Sequence, residues 1–263
     1  MKSLRQGSKG AEVKAWQYFL RGQGLYLGEV DGAFGPASAR ASSEFQRTQG
    51  LTPDGIVGLL TLGRAMQLGF DPLERDTTDL REEGPNFPAP LAGLKPASFA
   101  QRIKLFGQFE FEPAPTPGNR EGIKILGSWQ KDNIVSVTVP ELRGVEGAGS
   151  TGKVLFHSRG AAQLLSLFAA WADAGLLPLV KTWAGSFAPR FIRGSTVTLS
   201  NHAWATAFDV NVAWNPLGAQ PALLHKIGSV RALVPLANAH GFYWGGHFQT
   251  RPDGMHFELS RLL

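Results

Sequence analysis

The 263-residue chain contains no cysteine. Disulfide scaffolding and thiolate metal ligation are both excluded, so any metal site must be assembled from His, Asp or Glu. Charge is also sparse: 18% of residues are charged against 43% hydrophobic. That balance supports a buried core and argues against a disordered chain. The net charge is +5 and the pI about 9.6. A modest basic excess attracts nucleic acid, acidic lipid or anionic wall polymers, but without a dense Lys/Arg run nucleic acid is not an expected partner. Long apolar runs are missing too. The most apolar stretch, Ala161 to Val180, is interrupted by Gln163, Asp173, Gly175 and Pro178. This is the pattern of a core helix ending near Gly175, not of a membrane span. The N-terminus has no apolar h-region, so no secretory signal is expected.

Residues 1–68 have their own rhythm. Val13, Trp16 and Leu20 are spaced as the apolar face of a helix. Asp31-Gly32 marks a turn, and Pro36 suits the first turn of a second helix running to about Gln49. Asp54-Gly55 marks another turn, followed by a third helix over about Gly58 to Met66. The turn-plus-helix pattern therefore occurs twice, as in a small duplicated helical module. The run from Val30 to Leu62 resembles the peptidoglycan-binding domain of wall hydrolases. It has the Asp-Gly-x-Phe-Gly turn (Asp31, Gly32, Phe34, Gly35), Phe45-Gln46, Gly50-Leu51, and Asp54-Gly55-x-Val57-Gly58. The resemblance implies bacterial peptidoglycan as a partner.

Residues 69–95 are rich in Asp, Glu, Arg, Pro and Gly and have no clear period; a semi-stiff linker is expected there. Beyond it, residues 96–263 mix strand and helix signals. Strands are expected over Asn133–Leu142, in "LVKTWAG" and "ATAFDVNVAW", and at "GFYWGG" and "GMHFEL". Helices are expected over Ala161–Ala174 and Gly228–Ala239, the latter with Gly241 just past its end. The fold class is α+β: a three-helix N-terminal domain followed by a domain with a central antiparallel sheet.

Two of the six histidines have notable company. His202 precedes Asp209 in "SNHAWATAFDVN", and Asp253 lies three positions before His256 in "DGMHFEL". A hydrolytic zinc site needs three N/O ligands and an open position for water. His202, Asp209 and His256 are the candidate ligands. Asp253 is the candidate proton acceptor for the attacking water, and Arg190 or Arg193 the candidate oxyanion partner. Ser200, Trp244 and His247 are candidate substrate contacts beside them. His157, His225 and His240 are expected to be structural.

From about Arg102 onward the chain resembles the VanY-like D-alanyl-D-alanine carboxypeptidase and L-alanyl-D-glutamate endopeptidase family, which includes many phage endolysins. The shared pattern is Ser200-Asn-His202, Asp209 and Asp253-Gly-Met-His256. The resemblance implies a zinc metallopeptidase with one Zn2+ per chain, held by His202, Asp209 and His256, with Asp253 as general base. It also implies Arg190, with Arg193 as fallback, as the contact for substrate and oxyanion. One departure stands out: the family's His-x-x-Gly is His202-Ala-Trp-Ala205 here, and a left-handed backbone at Ala205 would be strained. The expected activity is cleavage of the L-alanyl-D-glutamate bond as an endolysin, made in the cytoplasm, released by a holin or another route, and monomeric. Trimming of terminal D-alanine and a catalytically inactive wall-binding protein are the alternatives. A non-haem iron oxygenase also uses two His and one carboxylate, but the spacing from His202 to Asp209 does not suit it.

Overall fold

A computed structural model describes residues 3–68, 70, 86–116 and 119–263. The N-terminal unit has three helices: α1 (Ala11–Gly22), α2 (Pro36–Thr48) and α3 (Leu59–Gln67). Their apolar faces meet on an aromatic cluster of Trp16, Phe19, Phe45 and Phe70, with ring centroids 5.2–5.5 Å apart.

The duplication seen in the sequence is repeated in the backbone. Gly32 and Gly55 both lie at left-handed φ, 73° and 72°. A Cβ on Gly55 would come within 3.0 Å of the Ala39 carbonyl, so the turn requires glycine twice over. A buried glutamine serves each turn. The Gln17 carbonyl accepts from Gly32 N–H while its amide donates to Asp31 and the Ala33 carbonyl. The Gln46 carbonyl accepts from Gly55 N–H while its amide donates to Asp54 and the Ile56 carbonyl.

The second unit opens with α4 (Phe99–Phe106), which the sequence pattern did not flag although Ser98 and Gln101 form a reciprocal capping box. Strands β1 (Phe111–Pro113) and β2 (Ile123–Ile125) pair as a hairpin, followed by the short helix α5 (Trp129–Asn133). Strand β3 (Ile134–Thr138) pairs with β4 (Lys153–His157). Helix α6 (Ala161–Asp173) then packs beneath the main sheet. That sheet comprises β5 (Trp183–Gly185), β6 (Ala207–Val210), β7 (Phe242–Trp244) and β8 (His256–Leu259), with α7 (Val234–Ala239) preceding β7. The strand order is β5-β6-β8-β7, all antiparallel. The architecture is α+β, as the sequence implied.

Alternation along β6 and β8 divides the sheet into two faces. Phe208 stacks on Phe257 and on Trp183, with centroids 5.4 and 5.5 Å away, and Trp171 of α6 meets both Phe208 and Phe257 edge-on. The residues between them, Asp209, His256 and Glu258, face the opposite side.

Several expected elements are shorter than their sequence pattern. The strand over Asn133–Leu142 stops at Thr138 because Pro140 begins a 3-10 turn. The helix over Gly228–Ala239 narrows to α7, whose first turn carries Pro235. The strand in "ATAFDVNVAW" ends at Val210, where Asn211 turns left-handed at φ 56°. The Asn211 carboxamide fixes that exit: it accepts from the N–H groups of Lys181 and Thr182 and donates to the carbonyls of Leu179 and Gly228. Of the expected linker, residues 69 and 71–85 lie outside the described residues. Its last part is packed rather than spacer-like: Phe87 lies against Trp244, with centroids 5.3 Å apart. No helix among the described residues is long and apolar enough to cross a membrane.

The glutamine device yields a local stability prediction. Gln46→Leu keeps the volume but strands the Gly55 N–H, at roughly 1–3 kcal/mol, while the Ile56 carbonyl keeps its bond from Gly58 N–H. Hydrogen exchange on the full chain should show α2 and α3 opening more easily by about 1–3 kcal/mol, with β6 and β8 unchanged. Unaltered protection across residues 36–67 would contradict this role for Gln46.

Candidate metal centre

Three side chains converge on the open face of the sheet. Asp209 of β6 stands directly opposite His256 of β8 in the ladder. His202 enters from a 3-10 turn, Asn201–Trp204, capped by Ser200, whose hydroxyl accepts from His202 N–H. His202 Nε2 lies 3.2 Å from Asp209 Oδ1 and 3.2 Å from His256 Nδ1, and His256 Nδ1 lies 2.9 Å from Asp209 Oδ1. These three residues are the one such group of potential metal ligands among the described residues.

The outer ring nitrogens say which atoms face inward. His202 Nδ1 is 3.3 Å from the Ser186 carbonyl, an acceptor, so it carries the proton and leaves the Nε2 lone pair pointing into the site. His256 Nε2 is 3.2 Å from Glu258 Oε2, which likewise leaves the Nδ1 lone pair free. Two ring nitrogens and a carboxylate oxygen thus meet within hydrogen-bond distance, an arrangement that calls for positive charge between them, either a shared proton or a metal ion. Ligand atoms about 2.1 Å from a tetrahedral ion stand roughly 3.4 Å apart, close to the spacing seen here. The residues present fit such an ion.

The local electrostatics agree. Burial opposes charge on Asp209, yet His202 and His256 hold its carboxyl well below the ordinary carboxylate range. Burial likewise opposes charge on His256, but its bonds to Asp209 and Glu258 outweigh that and raise it to about 10. Asp253 behaves oppositely: burial and the nearby Asp209 charge push it up to about 7, against the pull of His256 and Arg190. A carboxyl poised near neutrality can both take and return a proton. Its Oδ1 is buried without a hydrogen-bond partner. The turn that carries it needs Gly245, where a Cβ would sit 2.6 Å from the Asp253 carbonyl oxygen.

The other sequence candidates separate clearly. Burial lowers the pKa of Arg190, and the charges of Asp209 and Asp253 offset this, which places its guanidinium in their field. Arg193 is instead paired with Glu121 at 2.9 Å. Trp244 is fully buried and donates to the Gly254 carbonyl at 2.8 Å, supporting the Asp253 turn from behind. His247 is buried beside Phe87, with Nε2 2.7 Å from the Pro88 carbonyl. Ser200 acts as a cap. These last three occupy framework positions rather than an open substrate surface. His157 and His240 bond to backbone carbonyls, and His225 is exposed. Ala205 is left-handed, with φ 52° and ψ 41°, so the strain anticipated from the missing glycine is present. Arg102, Ser186, Asn201 and Glu258 escaped the sequence reading. For Glu258 a signal existed, since in a strand it shares a face with His256 two positions earlier.

Known proteins resemble the chain in two segments. Residues 193–259 match the D-alanyl-D-alanine carboxypeptidase family, and residues 9–64 match the putative peptidoglycan binding domain family. An uncharacterized protein of Kitasatospora aureofaciens is 49% identical over 59 residues, 22% of this chain and 50% of that protein. The zinc D-Ala-D-Ala carboxypeptidase of Streptomyces albus G is 39% identical over 72 residues, 26% of this chain and 28% of that protein. The chain thus spans half or less of the length of these curated relatives. The solved SleB N-terminal domain aligns at 33% identity over 25% of this chain and 90% of that one, with a TM-score of 0.25. Its two matched segments are thus similar to the D-alanyl-D-alanine carboxypeptidase family and, ahead of that segment, to the putative peptidoglycan binding domain family.

Proposed function

We propose that this protein is a zinc-dependent peptidase of bacterial peptidoglycan. Residues 1–68 form the wall-binding domain, 69–95 the connection and 96–263 the catalytic domain. The observation that carries the proposal is the convergence of His202, Asp209 and His256 beside a carboxyl, Asp253, whose pKa is raised to about 7. The matched carboxypeptidase family and the zinc enzyme of Streptomyces albus G support zinc as the metal, as does a ligand set of two imidazoles and one carboxylate.

Zinc, when bound, supplies the Lewis acidity that activates water and polarises the scissile carbonyl. The chain's own groups handle protons and charge. Asp253 accepts the proton of the attacking water and passes it to the leaving amine. Arg190 faces the negative charge that develops on the carbonyl oxygen. His202 stays in a fixed tautomer because its outer N–H group is held by the Ser186 carbonyl.

For the bond cleaved, we advance the L-alanyl-D-glutamate endopeptidase reading, in which a wall-anchored enzyme acts as an endolysin. The second reading, removal of terminal D-alanine, is favoured by the names of the matched family and of the zinc relative. Mass spectrometry of digested peptidoglycan separates them. New N-terminal D-glutamate that disappears with a chelator is expected; loss of terminal D-alanine alone would replace the first reading with the second.

Substitutions test the site itself. His202→Ala and His256→Ala should lose bound zinc and turnover together, as measured by metal analysis and product release. Asp253→Ala should retain zinc while turnover falls by roughly 100-fold or more, the scale of general acid–base catalysis. Near-normal turnover in that variant would remove Asp253 from the mechanism.

A further inference from the structure

A buried polar chain lies behind the metal centre. Glu258 follows His256 by two positions on β8 and faces the same side of the sheet. Its Oε2 is 3.2 Å from His256 Nε2. The same oxygen accepts from Asn201 Nδ2, and Asn201 Oδ1 accepts from Arg102 of α4. Asn201 directly precedes His202, so one carboxamide joins the residue before one ligand to the carboxylate behind another. Glu258 is 3% exposed and Arg102 8% exposed.

This chain is a poor way to gain stability. Buried ion networks are often no better than apolar side chains of similar volume. Moreover, Glu258 Oε1 and Arg102 Nε are buried without hydrogen-bond partners. Glu258 stands opposite Ala207 in the ladder, deep in a sheet where a charged side chain is costly to bury. Something other than core packing accounts for a carboxylate there.

We propose that Glu258 is a positioning residue for the metal centre: it holds His256 in the tautomer and ring orientation that present Nδ1 to the ion, and Asn201 and Arg102 hold Glu258. A carboxylate accepting the outer N–H of a ligating imidazole fixes the ring and increases the basicity of the inner nitrogen. It also compensates part of the charge that a divalent ion brings into a buried site. Glu258 touches no reacting atom in this role. The inference rests on the metal-centre reading above and concerns affinity for the ion, not the bond cleaved.

The test uses the full chain, stripped of metal, with zinc affinity measured by competition against a chromophoric chelator. Glu258→Leu removes both acceptor and charge, whereas Glu258→Gln retains an oxygen acceptor. The zinc dissociation constant should rise about 10- to 100-fold for Glu258→Leu and less for Glu258→Gln. The absorption spectrum of the cobalt-loaded protein should shift with it, and the metal-free melting temperature of Glu258→Gln should stay close to that of the unaltered protein. If Glu258→Leu does not fold, Glu258→Gln decides alone. Unchanged zinc affinity and cobalt spectrum in a folded variant would overturn the proposal. So would a fall in metal-free melting temperature with unchanged affinity, which is the result for a purely structural carboxylate. If the unaltered chain itself binds no zinc, the metal-centre reading fails and this inference with it; tight binding by unaltered and altered chains alike overturns the Glu258 role alone.

Discussion

The register of β6 against β8 is the constraint on which both core and site depend. Pairing Asp209 with His256 also pairs Phe208 with Phe257 and Ala207 with Glu258. The aromatic pair lies on the face that packs against α6, and the polar residues lie on the other. Strand side chains alternate with a period of two, so a slip of one residue would turn Asp209 into the aromatic core and Phe208 into the site. The stacked rings of Trp183, Phe208 and Phe257 therefore do more than fill volume. They penalise a one-residue slip away from the register in which Asp209 and His256 face each other. Asn211 then ends β6 by binding four backbone groups from the segments around it.

The third candidate ligand, His202, arrives under strain. Ala205 closes the 3-10 turn that carries His202 and does so in the left-handed region, at roughly 1–2 kcal/mol for a residue with a Cβ. The turn is over-determined by its surroundings. Ala203, Trp204 and Ala205 are all but fully buried. The Ala205 carbonyl accepts from His157 N–H at 2.9 Å, and the Thr206 carbonyl accepts from Leu259 N–H at 2.7 Å. Those bonds tie the turn to β4 and β8, so the surrounding sheets maintain the backbone geometry that the alanine disfavours.

Charge organises the centre as a deficit. Asp209, Glu258 and Asp253 are gathered with Arg102 and Arg190 in a largely buried volume. Three carboxyls outnumber two guanidiniums, and hydrogen bonds to Asp209 and Glu258 favour a proton on His256 against the cost of its burial. A divalent cation meets the same demand with better geometry. The N-terminal unit shows a different economy: one glutamine per turn satisfies the backbone of each Asp-Gly bend, and the duplicated sequence produces a duplicated hydrogen-bond pattern.

Much of this was legible in the linear sequence because it depends on local chemistry. The Asp-Gly turns at 31–32 and 54–55, the helical spacing of Val13, Trp16 and Leu20, and the run Ala161–Ala174 encode their structures through backbone preference and periodicity. His202, Asp209, Asp253 and His256 stood out because their residue types and spacing suit a hydrolytic metal site. Element ends were less legible, since Pro140 and Pro235 shorten elements through ring sterics that an apolar pattern does not register. The partition between Arg190 and Arg193 was not local at all. It depended on Glu121, 72 residues from Arg193 in sequence, reaching across to neutralise one of them. Arg102 was likewise invisible, since its link to Asn201 spans 99 positions. Residue type and spacing set which groups could act; which ones meet, and in which tautomer, followed from strand register and long-range hydrogen bonds that exist only once the chain has closed on itself.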